Sequence, residues 1–239
     1  MRMKTNAFRS WVVTALLTIT AAGTAVGCSG DPDGSDSTRE PTGAASSPLI
    51  SMDAVCDGSL REEAAAALQQ ISGTDKFQPG PDTSQSMKQL VGVLVADLKE
   101  SSRKPERMLC SVSPQGSDPS ARALWITFQW YKDTPPTGGK RTHSTYNTTR
   151  FAIGDAASYD DGASLFFSCP SASGQDSQGL GLIATAGTTG LDAEPRAQKR
   201  EAQVRILHSA SVALAKELGC FKQSGLPETL GELTPLPVK

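Results

Sequence analysis

Apolar residues recur along this chain with two different periods, and the change of period divides it into helical and strand-forming regions. Leu60, Ala64, Ala67, Leu68 and Ile71 fall on one side of a helix. Ser59-Leu60-Arg61-Glu62 reads as a capping box opening that helix, with Gly73 as its stop. Residues 76–78 read as a short strand before Pro79, and Asp82 with Gln85 suggests a second cap. Met87, Leu90, Val91, Val93, Leu94, Val95 and Leu98 wrap most of the next helix, predicting deep burial until it ends by Pro105.

From Arg107 the period drops to two. Met108, Cys110 and Val112 share one face. Leu124, Ile126, Phe128 and Trp130 share a face of the following strand, with Trp125 and Tyr131 on the other, which predicts a central strand covered on both sides. Residues 150–153, 163–169 and 180–186 read as three more strands, separated by turns at 154–162 and 170–179. Helical spacing then returns over 194–219, where Val204, Leu207, Ser211, Leu214 and Leu218 form a stripe widened by Ala210, and Glu201 and Arg205 are placed to pair. The tail spaces Leu226, Leu230, Leu233 and Leu236 among prolines, as expected of an extended strip on the domain surface. Together these patterns predict an α+β domain: a mostly antiparallel sheet of about five strands packed against about three helices.

The first thirty residues follow a different logic. Arg2, Lys4 and Arg9 precede a charge-free run from 11 to 26, sixteen residues diluted by Thr14, Thr18, Thr20 and Gly23. A bilayer span needs about 20 predominantly apolar residues, so this run reads as a secretory signal rather than an anchor. Residues 29–48 are rich in Gly, Ser, Pro and Asp, too polar to bury a core, and read as a flexible tether reaching about 25 Å. The expected organisation is a signal peptide at 1–27, a cysteine and linker at 28–50, and a single extracytoplasmic domain at 51–239.

Val26-Gly27-Cys28 resembles the bacterial lipobox, with Ala25 standing where that family most often has Leu. The resemblance implies diacylglyceryl transfer to the Cys28 thiol, cleavage just before it, and an acylated amino terminus. Two or three acyl chains would hold the protein to membrane lipid, where one alone binds marginally. The expected location is therefore the outer face of the cell membrane.

Removing the leader takes three basic residues and no acidic ones, leaving 20 against 25 and a net charge of −5. Residues 51–239 are close to neutral. Without a basic excess, nucleic acid is not an expected partner, and neither is an anionic lipid surface. Four cysteines remain beyond Cys28: Cys56, Cys110, Cys169 and Cys220. Their spacing fits no metal template, and an even number in an exported chain favours two disulfides. Cys56–Cys110 with Cys169–Cys220 is the preferred pairing, each closing a loop of fifty-odd residues, and Cys56–Cys220 with Cys110–Cys169 is the alternative. Each bridge would contribute about 3–4 kcal/mol on the chain-entropy account.

The arrangement is similar to small cysteine-bonded lipoproteins and receptor sensor domains exported by actinobacteria. The residues carrying that likeness are the lipobox, the cysteines at element ends, and Ala213-Leu214-Ala215-Lys216-Glu217-Leu218-Gly219 leading into Cys220.

No stretch carries a catalytic signature. Ser101-Ser102-Arg103-Lys104 matches S-x-x-K but closes a helix instead of opening one. Gly179-Leu180-Gly181 resembles a dinucleotide loop but lies in a strand with no following helix to receive phosphates. His143 falls in a long polar loop and His208 on the expected polar face of the last helix, so both read as surface histidines. Asn147-Thr148-Thr149 fits a glycosylation sequon of little weight in a bacterial lipoprotein. Lys140, Arg141, His143 and Tyr146 in the 132–147 loop, near Arg150, form a modest basic patch, and with Trp125 and Tyr131 they are the candidate ligand-contacting residues. No cofactor or metal is called for. The expected function is a non-enzymatic binding or sensing lipoprotein facing a small ligand, a wall component or a membrane-protein partner. The alternative is an envelope hydrolase whose site is assembled from distant residues.

Overall fold

The structure, a computed structural model, describes residues 48–99, 104–118, 120, 122–132, 148–153, 155–170, 179–191 and 195–236. These lie in one compact unit spanning 45–239. The predicted leader, Cys28 and most of the linker lie outside the described residues, as do Lys140, Arg141, His143, Tyr146 and Ser101 to Arg103.

In chain order the elements are β1 (Ile50–Ser51), α1 (Glu62–Ser72), β2 (Lys76–Pro79), α2 (Met87–Lys99), β3 (Arg107–Pro114) and β4 (Leu124–Lys132). Then follow β5 (Thr149–Phe151), β6 (Asp155–Ser158), β7 (Gly162–Ser168), β8 (Leu180–Gly187) and α3 (Arg196–Glu217). The strands form one eight-stranded sheet in the order β1-β2-β3-β4-β8-β7-β6-β5, with every neighbouring pair antiparallel. The α+β class and the three helices are as the sequence predicts, but the strand number is eight rather than about five. Residues 155–158, read as turn, form β6 because Ala156 and Ser158 are buried against Leu165 and Ala163 of β7. The two-residue β1 is too short to carry a periodicity of its own; it is held by pairing with β2.

One face of the sheet is the core. Leu124, Ile126, Phe128 and Trp130 of β4 point the same way as Leu182, Ala184 and Ala186 of β8 and Ala163, Leu165 and Phe167 of β7, all buried. α2 packs on β3 and β4, α3 packs on β6, β7 and β8, and α1 packs on α3. Trp130 fixes α2 in place by donating its indole N–H to the Leu94 carbonyl at 2.7 Å. The end of α2 is held by Asp97, whose side chain is 3% exposed and takes two bonds from Arg107 at 2.6 and 2.8 Å. Buried Gln203 of α3 reaches the β6–β7 turn; its amide nitrogen donates to the Tyr159 and Gly162 carbonyls at 3.0 Å, and its oxygen accepts from the Gly162 N–H at 3.1 Å.

Three local expectations need correction. β4 is central, but the described helices lie on one side of it only, and Trp125 and Tyr131 on the other side are half-buried. There Gly187 lies under the Trp125 ring and Gly181 under Phe166, so these glycines make room for aromatic rings; a Cβ at Gly187 would stand 1.9 Å from the indole. Met108 does not share the face of Cys110, because the register shifts between them and buries Leu109 as the extra residue of a bulge. α2 buries Met87, Leu90, Leu94 and Asp97, while Val91, Val93 and Leu98 are half-buried, so it lies across the sheet by one face instead of being enclosed.

The caps also differ. α1 begins after Arg61, and the Ser59 hydroxyl has no partner, so the expected capping box does not form. The box belongs to α2: Ser86 accepts from the Gln89 N–H at 3.2 Å and Gln89 from the Ser86 N–H at 2.9 Å, with Asp57 accepting from the Met87 N–H at 2.7 Å. Asp82 pairs with Arg122 instead. Gly73 ends α1 as predicted, in the left-handed conformation at φ 68°. The cysteines are bonded in the preferred pairing, Cys56–Cys110 and Cys169–Cys220, with Cα separations of 5.0 and 5.1 Å.

Candidate functional site

α1 runs antiparallel along the first half of α3, from Arg61 against Ser209 to Gln70 against Gln198, and the chain after α3 returns along the same side. Leu226, Leu230 and Leu233 of the tail are buried, whereas Leu236 is exposed, so the predicted surface strip is anchored by three of its four leucines. Between the start of α1, the middle of α3 and residues 228–230 lies a cleft of about 290 Å³. Its polar walls are Arg61, Glu62 and Glu63 from the opening of α1, Arg205 and His208 from α3, and Glu228 from the tail.

Contrary to the surface reading, His208 is buried, 4% exposed. α3 lies between the sheet and α1, so residues on both its sides are enclosed, and the position expected to face water faces the tail instead. Nε2 lies 2.9 Å from the Pro227 carbonyl oxygen. A carbonyl only accepts, so Nε2 carries the proton and Nδ1 is the acceptor of a neutral ring. No hydrogen-bond partner meets Nδ1 among the described residues. Burial is the largest influence on this imidazole and holds its pKa below the ordinary 6.5. The bond to Pro227 and the charge of Glu63 oppose that shift, while Arg61 and Arg205 add to it.

The charged groups around the imidazole are cross-linked. Arg205 reaches Glu63 at 3.5 Å and the Gly231 carbonyl at 3.2 Å, and no ion pair joins it to Glu201 among the described residues. Arg61 donates to the Glu228 carbonyl at 2.9 Å, and Lys216 meets the Glu228 carboxylate at 2.6 Å. That bond and the Lys216 charge hold the Glu228 pKa below the usual carboxylate value. The Ser209 hydroxyl donates to the Ser59 carbonyl at 2.9 Å and accepts from the Arg61 N–H at 2.8 Å. It is therefore engaged away from the imidazole and is not poised as a nucleophile for it. The cleft brings donors, acceptors and both signs of charge around a small volume.

Of the sequence candidates, Trp125 and Tyr131 lie on the far side of the sheet from this cleft. Trp125 has Arg122 6.0 Å from its ring centroid. Arg150 is paired with Asp155 at 2.5 Å. Sequence reading passed over Arg61 and Arg205 as ordinary helix charges. The available signal was His208 itself, a polar residue flanked by Ile206, Leu207 and Ala210 in the most apolar part of the helix. Among the described residues no cluster of His, Cys, Asp or Glu could hold a metal ion, and no helix is long and apolar enough to cross a membrane. The chain matches no protein-family model, no curated protein and no solved structure.

Proposed function

We propose that this chain is an exported lipoprotein, anchored through acylated Cys28 to the outer face of the cell membrane, whose disulfide-locked domain binds a small ligand without chemical conversion. The observation that carries the reading is the cysteine arithmetic. Two bridges take up Cys56, Cys110, Cys169 and Cys220, and the fifth cysteine is the one that follows the leader-like stretch. Disulfides of this kind persist in oxidising compartments, which agrees with export. The cleft beside His208 supports binding over hydrolysis, since it collects hydrogen-bonding groups around an imidazole while the adjacent Ser209 hydroxyl is already engaged.

Fractionation of cells expressing the protein and its Cys28→Ala variant tests the anchor. The variant is expected in the soluble fraction and the parent with membranes; the same distribution for both rejects lipidation. Mass spectrometry of small molecules that co-purify with the detergent-solubilised chain tests the binding role.

A further inference from the structure

The side of the sheet turned away from the described helices differs from an ordinary solvated face. Antiparallel pairing sets the outward residues of β4, β8 and β7 level with one another. Trp125 stands opposite Gly187 at one end of β4, and Tyr131 opposite Gly181 at the other. Between them Thr127 lies beside Thr185 and Ser164, and Gln129 beside Ile183 and Phe166. An outward sheet face is normally where a chain spends its charged residues. This chain is 20% charged, yet no outward position of these three strands carries a charge.

The aromatic rings on this face lie low. Three consecutive atoms of the Trp125 six-membered ring crowd the place a Cβ of Gly187 would take, and two atoms of the Phe166 ring do so at Gly181. Both rings therefore rest on glycine backbone instead of projecting from the sheet. Gly181 and Gly187 share one strand, so the rings are seated about 20 Å apart along it. Trp125, Tyr131 and Phe166 are each half-buried, which leaves part of every ring open to solvent.

The polar groups between the rings are held in place. The Thr127 hydroxyl donates to Glu106 at 2.9 Å, and the Gln129 amide nitrogen to the Lys104 carbonyl at 2.6 Å. Each side chain keeps an oxygen able to accept a further bond. The charges bordering the surface are matched to each other. Arg122, 6.0 Å from the Trp125 ring centroid, meets Asp82 at 2.6 Å, and Arg150 meets Asp155 at 2.5 Å. A charged polymer laid here would give up hydration without gaining an ion pair from this face, whereas an uncharged one matches it. A protein partner calls for protruding anchors or pockets to receive them, and these rings form neither. A sugar ring offers a face of C–H groups to stack on an aromatic ring, edged by hydroxyls that donate and accept.

We infer that this face binds an extended, uncharged polysaccharide laid along β8, with sugar rings stacked on Trp125 and Phe166 and hydroxyls bonded to Thr127, Thr185 and Gln129. The surface lies across the sheet from the cleft beside His208 and does not depend on what that cleft holds.

Calorimetry on the full chain, in a detergent without a sugar headgroup, tests this with cellohexaose, chitohexaose and hexagalacturonate. The first two are uncharged and the third is an anion of the same length. At least one neutral hexasaccharide is expected to bind about tenfold or more tightly than hexagalacturonate. Thr185→Lys puts a charge in the middle of the surface at a half-buried outward position, leaving the core side untouched. It is expected to lower the neutral affinity at least about tenfold, as is Trp125→Ala. No binding of either neutral hexasaccharide overturns the inference, and so does hexagalacturonate binding as tightly as both. An unchanged neutral affinity in a folded T185K overturns it as well. A chain that sediments as a dimer, and as a monomer once T185K is introduced, also overturns it by giving the face to a second copy. The comparison of ligands on the parent protein stands without any variant.

Discussion

Removing Arg107 should destabilise the protein more than removing Asp97, although each deletion breaks the same pair. The asymmetry comes from burial: the Asp97 side chain is 3% exposed and the Arg107 side chain 35% exposed. Arg107→Ala leaves a carboxylate inside the protein without the guanidinium that met it at two oxygens, and breaking a buried pair in this way costs about 3–5 kcal/mol. Asp97→Ala leaves a guanidinium that water already reaches, so its cost should be about 1–3 kcal/mol. The double variant should be more stable than Arg107→Ala alone, because it no longer holds an unmatched buried charge. Urea unfolding of the three variants, with unchanged m-values, measures all of this. If Asp97→Ala costs as much as Arg107→Ala, or the double variant is no better than Arg107→Ala, the argument from burial is wrong.

Alkylation without reductant should leave Cys56, Cys110, Cys169 and Cys220 unlabelled, and the Cys169→Ala/Cys220→Ala double variant should lose about 4 kcal/mol in denaturant unfolding for a bridge spanning 51 residues. Gly187→Ala should lower stability by about 1–3 kcal/mol by displacing the Trp125 ring, visible in the near-ultraviolet circular dichroism, and should cost much less in a Trp125→Ala background. The His208 imidazole has a folded pKa below 6.5, so its neutral form contributes fully above that value. Stability should fall as pH drops below 6.5, where the unfolded chain takes up the proton first, and level off once the folded pKa is passed. His208→Gln should remove that part of the stability–pH profile; an unchanged profile would assign it to other groups.

Elements with a long, uniform burial pattern were legible from residue order. β4 turns one face to the core along its length and Gly73 marks the end of α1, because each is decided locally; α3 was legible as a helix although it is enclosed on more than the predicted stripe. The cysteine pairing was also accessible as the preferred of two alternatives, since each bridge closes a loop of fifty-odd residues. Two of the short strands were not legible: β1 and β6 owe their existence to partners in β2 and β7, whereas β2 and β5, equally short, were read as strands. The caps were misplaced by the same kind of competition. Ser86 and Ser59 each open a suitable motif, but the α1 start is set by the hydrogen bond between the Arg61 N–H and Ser209, 148 positions away.

By itself, the sequence determined the α+β class and the three helices, because local periodicity follows from backbone geometry and needs no partner. Tertiary structure alone decided where His208 points. A helix position is polar or apolar in the sequence, but whether it meets water depends on what packs across it, here α1 and the returning tail. The cleft and its paired charges arise from that packing of segments far apart in the chain, which no single stretch of residues encodes.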